Sequence, residues 1–190
     1  LVRSRSGGRV LAALLAYLSN DLVERDPTLL RVNATAAVHN GGALLLPAGL
    51  VQWAKQLQPR FARRGISMID LPFADLDLAT GELVVPEAAI EHDATVVTEL
   101  DEGVRLGSEL PWVRPGRYPL GAWFLTRGPE FFGPLSAAIA VSAALPTTAW
   151  DGDLQDAVAR LAHLFERTAA FGIWFESAAE LVDQVAAGLS

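Results

Sequence analysis

The chain has 190 residues, 51% of them hydrophobic, and a formal net charge of −7. That length suits a single domain over residues 1–190 with a sizeable core, and the apolar content excludes large-scale disorder. The acidic balance gives no nucleic-acid footprint, and the absence of cysteine excludes disulfides and thiolate metal sites.

Arg3, Arg5 and Arg9 read as a solvated, flexible arm over residues 1–8 and just beyond. Val10, Leu11, Leu14, Leu15, Leu18 and Leu22 then recur at helical spacing, and Asp26-Pro27 closes that helix. The run is too short and too interrupted by Ser19, Asn20 and Asp21 to span a membrane. It also lacks a signal-peptide cleavage site, so the expected location is cytoplasmic, away from any membrane.

Residues 29–38 are extended in character, with Asn33 inside them. His39-Asn40-Gly41-Gly42 is a hairpin turn signal, and residues 43–46 form a short apolar strand. After Gly49 a helix places Leu50, Trp53, Ala54, Leu57 and Phe61 on one side. Pro59 is expected to end or kink it, and Gly65 to cap it. Arg60, Arg63 and Arg64 gather at its end, where cations favour the helix dipole.

Residues 66–70 and 73–76 read as strands, 77–81 as a turn and 82–85 as a returning strand. Asp75, Asp77, Glu82 and Glu87 make an acidic hairpin, read as a solvated face. A strand is expected over 95–100, a long polar loop over 101–116 and an apolar strand over 120–125. Helices over 134–145 and 154–170, a strand over 172–175 and a helix over 178–189 complete the chain. Interleaved strands and helices give an α/β fold, a mixed sheet flanked by helices.

The stretch with most chemical content is Pro47-Ala48-Gly49 with the helix behind it. A strand, a tight turn and a helix are the parts of a phosphate-gripping loop, in which backbone N–H groups converge on an anion. Its further parts are glycines, a lysine and a Ser/Thr hydroxyl that holds magnesium. Here Trp53 stands where a glycine belongs, and Gln56 carries no hydroxyl. Lys55 is the only lysine among the 15 basic residues, and it reads as a solvated helix residue. His39, His92 and His163 have no metal-ligand spacing, so no metal site is expected. Trp123 and Phe124 point to opposite faces of one strand, so at least one is core. Trp112 and Phe131-Phe132 lie near loops, where exposed aromatics would suit a docking surface, although ordinary packing is the favoured reading for each.

The order of these segments resembles the HPr kinase/phosphorylase-related family, bacterial serine kinases with a P-loop in a PEP-carboxykinase-like fold. The resemblance runs through residues 29–38, Gly41 to Pro47 and residues 74–86, and then through Arg117-Tyr118-Pro119-Leu120 and the strand to Arg127. Pro134-Leu135-Ser136 and residues 172–175 continue it, so that it covers roughly residues 9–189. It implies that Asn33 replaces a strand histidine and that the P-loop is degenerate across Ala48 to Gln56. The acidic pair falls on Leu71-Pro72, with Asp70 one residue early. Nucleotide loop, metal site and base are thus altered together, which implies a catalytically impaired, pseudokinase-like domain without cofactors. It also implies a small protein or peptide partner and homo-oligomers. The alternative is an active ATP- and magnesium-dependent serine phosphotransferase that uses Lys55 and Asp70. A third reading is a small-ligand binder that reuses the cleft.

Overall fold

The computed structural model describes residues 29–69, 73–85, 113–129, 131–149 and 153–190, leaving out the side chains at 51, 52, 54 and 55. The helix expected over 10–22, the strand over 95–100, most of the 101–116 loop, His92 and Asp70 to Pro72 lie outside the described residues.

Among the described residues, ten strands form a mixed sheet flanked by four helices, so the expected α/β class holds at that level. The strands are β1 (Leu29–Val32), β2 (Thr35–His39), β3 (Gly42–Leu46), β4 (Ile66–Met68) and β5 (Ala74–Asp77). They continue with β6 (Glu82–Val85), β7 (Gly116–Thr126), β8 (Gly133–Pro134), β9 (Thr148–Ala149) and β10 (Ala169–Ile173). The helices are α1 (Ala54–Ala62), α2 (Ala137–Ala144), α3 (Leu154–Phe165) and α4 (Ala178–Gly188). The main path runs β4-β2-β3-β7-β6-β5-β1-β9, and β10 joins β7 to β8.

Strand β7 holds this arrangement together. Its first residues pair antiparallel with β6, while its second half runs parallel to both β3 and β10. Parallel strands covered on both faces become continuous apolar runs, and Leu120-Gly121-Ala122-Trp123-Phe124-Leu125 has that character. Trp123 and Leu125 enter one core beneath α2 and α3, with Ala140, Val141, Leu161 and Phe165. Ala122 and Phe124 enter another beneath α1 and α4, with Leu57, Phe61, Leu181 and Val185. Both aromatic rings of the Trp123-Phe124 pair are therefore core.

The β2–β3 hairpin follows its turn chemistry. Asn40 and Gly41 both have positive φ, 51° and 80°, and His39 pairs with Gly42 across them. A two-residue turn of that hand matches strand twist and favours Asn-Gly. His39 is consequently the last residue of β2 and not a turn residue.

Several boundaries differ from expectation. The extended segment 29–38 is two strands, because the chain passes at Asn33-Ala34 from a partnership with β5 and β9 to one with β3 and β4. Pro59 neither ends nor interrupts α1, which runs on to Ala62. Its ring faces solvent, so water can serve the carbonyl that loses its donor. Pro134 belongs to β8 and α2 starts only at Ala137, since Leu135 N–H is taken by the Ala170 carbonyl. α3 stops at Phe165, and Ala169-Ala170 open β10 against β7. Local apolar periodicity could not separate the end of that helix from the start of the strand.

Candidate functional site

β3 delivers three buried leucines and ends at Leu46, next to Pro47. Gly49 then adopts φ 79°, a conformation glycine reaches without a steric penalty. The chain turns into a short 3₁₀ segment, Leu50–Trp53, and only then into α1. The expected strand–turn–helix is therefore present, with a tightened first turn.

The first N–H groups of a helix lack partners within it, and this shortage makes such a terminus receptive to anions. Here Leu50 N–H donates to Thr35 Oγ1 at 3.2 Å, and Thr35 is 1% exposed. Thr35 pairs with Leu46 across β2 and β3, so the hairpin that launches the turn also ties it down. Leu50 is buried. The half-buried Trp53 meets Phe175 edge-on, with ring centroids 6.1 Å apart. An apolar side chain, an indole and an internal hydrogen bond thus occupy the start of the helix.

Replacement of Thr35 by valine keeps the strand shape and removes the acceptor. The expected result is a stability loss of about 1–2 kcal/mol, read from the urea midpoint, because a buried N–H is left unpaired. An unchanged midpoint would mean that the Leu50 amide is served otherwise.

The other sequence-predicted positions do not gather at this turn. Asn33 is exposed and its backbone N–H donates to the Thr147 carbonyl at 2.7 Å. It lines a shallow cleft of about 230 Å³ with Arg31, Phe73 and residues 146–149, to which no residue of 47–53 contributes. Pro47, Ala48 and Gly49 lie in the turn itself. The Lys55 backbone lies in α1, while its side chain and Asp70 lie outside the described residues. Among the described residues no group of three His, Asp or Glu could hold a metal ion.

The Arg31 guanidinium and the Thr147 and Thr148 hydroxyls of the Asn33 cleft are already engaged. Arg31 forms a bidentate pair with Asp75, Nε and Nη2 each 2.8 Å from a carboxylate oxygen, and lies 5.5 Å from the Phe73 ring centroid. The Asp75 hydrogen bond holds the Arg31 guanidinium even more firmly charged than usual. Thr147 and Thr148 hydroxyls donate to the Ala144 and Leu145 carbonyls.

The acidic hairpin differs from a simple solvated face. Asp77 accepts from Arg117 Nη1 at 2.6 Å and from the amides of Ala79 and Thr80, and Glu82 lies 3.5 Å from the same arginine. Glu87 lies outside the described residues. Arg31 and Arg117 are brought in by register across β1–β5 and β6–β7. The sequence shows their charge but not the distant strand that each one faces.

The Arg117 hydrogen bond pulls the Asp77 carboxyl below the usual carboxylate range. A depressed folded-state pKa contributes stability above the unfolded value, roughly 3.9, that is lost as pH falls through the folded value. Asp77→Asn should therefore flatten the acid limb of stability, measured by urea unfolding from about pH 5 to about pH 2. An acid limb identical to that of the parent chain would contradict this assignment.

Sequence reasoning also missed Thr35, whose role no local pattern signals, and Trp174, which sits just past the end of β10. Comparison with family models, with curated proteins and with solved structures finds no match to this chain. Among the described residues no helix is long and apolar enough to cross a membrane.

Proposed function

We propose that this chain is a catalytically impaired, HPr-kinase-like domain that serves as a protein- or peptide-binding scaffold subunit. The observation that carries the binding role is a group of exposed aromatics beside β8 and β10. Phe131 is 42% exposed, Phe132 45% and Trp174 37%. Phe131 lies directly over Gly172, where even a Cβ would come within 2.6 Å of its ring, and Trp174 follows two residues later. Rigid aromatic rings supply contact area at low entropic cost and are enriched at binding hot spots. The tied-down turn at 47–53 supports the impaired-catalysis part, because Leu50 N–H is already spent on Thr35.

The test is affinity capture with the intact chain and with a Phe131→Ser/Phe132→Ser/Trp174→Ser variant, whose fold is checked by circular dichroism. A defined partner held by the parent and lost by the variant is expected. Equal capture by both, or capture of nothing, overturns the proposal.

A further inference from the structure

The end of α1 carries Arg60, Arg63 and Arg64, all exposed. A helix dipole could account for them if they capped the last carbonyls. Backbone groups already do so: Arg64 N–H donates to Phe61 O and Gly65 N–H to Ala62 O. Arg64 reaches Asp183 of α4 at 3.4 Å. Arg60 and Arg63 have no ion-pair or hydrogen-bond partner among the described residues.

Arg60, Arg63 and Arg64 line an open cleft of about 180 Å³ between α1 and α4, together with Ala179, Val182 and Asp183. Two unpaired cations side by side repel one another, and in a chain of net charge −7 such a grouping runs against the general surface. Arginine matches carboxylates through its planar fork of donors. Asp183, at the cleft edge with its side chain 70% exposed, engages one of the three arginines at 3.4 Å, so a carboxylate can approach this face. A nucleic-acid backbone would need a longer basic stripe than three residues and would meet the acidic remainder of the surface.

We propose that the α1–α4 cleft is a docking site for a short acidic peptide segment, its carboxylates on Arg60 and Arg63 and an aliphatic side chain against Ala179 and Val182. The site is separate from the aromatic surface around Phe131 and does not depend on it.

The experiment is fluorescence-anisotropy titration of the full chain with a labelled Glu-Glu-Leu-Glu-Glu peptide and its Gln-Gln-Leu-Gln-Gln counterpart. A few exposed charge pairs predict weak binding, with a dissociation constant on the order of 1 mM that rises with salt, and no binding of the glutamine peptide. Arg60→Glu/Arg63→Glu should weaken binding at least about tenfold, and Asp183→Asn should tighten it about two- to fivefold by removing the resident carboxylate. Phe131→Ser/Phe132→Ser should leave it unchanged, so failure here is distinguishable from failure of the aromatic surface. Absence of binding, equal affinity for the glutamine peptide, or insensitivity to the arginine reversal overturns the proposal. Displacement by inorganic phosphate at concentrations equal to the peptide's would reassign the cleft as a simple oxyanion site and equally overturn it.

Discussion

Replacing Trp123 by alanine is expected to lower stability by about 3–5 kcal/mol, the range for deleting a large buried aromatic. Trp123 is 1% exposed and packs on Phe165, with ring centroids 5.4 Å apart. Its strand, β7, is pinned by β3, β6 and β10, so the backbone cannot close over the cavity. Native stabilities are about 5–15 kcal/mol in total, so the variant should be only marginally folded at ordinary temperature. Urea unfolding followed by far-UV circular dichroism measures this. A loss under about 1 kcal/mol would mean that the first core is not built around this ring.

The second large effect is expected at Asp75. Alanine there removes the bidentate partner of Arg31, whose side chain is 11% exposed. Breaking a buried pair from one side costs about 3–5 kcal/mol. Asp75 keeps a quarter of its surface in water, so about 2–3 kcal/mol is expected after screening. A companion Arg31→Met/Asp75→Ala chain should recover part of that loss, because the charge facing the vacated carboxylate position disappears. Equal stability of the single and double variants would show that the loss comes from packing and not from charge.

What the sequence revealed and what it hid follow from the range of the forces involved. Turns were legible because their chemistry is local: Asn40-Gly41 and the Asp77 to Gly81 reversal appear where turn residues specify them. The strand–turn–helix around Gly49 was legible for the same reason. Strand limits set by distant partners were not, as at Pro134 and Ala169, where pairing with β10 and β7 overrode helical periodicity. Opposed placement of Trp123 and Phe124 followed from strand alternation, yet the burial of both required helices on each face. At the candidate site, the presence of Trp53 in the turn was plain, but its neighbour Phe175 lies beyond β10. The Thr35–Leu50 bond joins two residues fifteen apart that share no motif. The acidic residues of β5 and β6 were visible as charges, whereas their arginine partners depended on register.

In the proposed reading, the turn after Pro47 spends its helix start on internal contacts, with Leu50 N–H bonded to Thr35, and does not cradle a triphosphate. Isothermal titration of magnesium-ATP into the intact chain tests it most directly. The account predicts no saturable heat up to millimolar nucleotide, in the parent chain and in Lys55→Ala alike. Saturable binding at micromolar concentration that Lys55→Ala abolishes would contradict it.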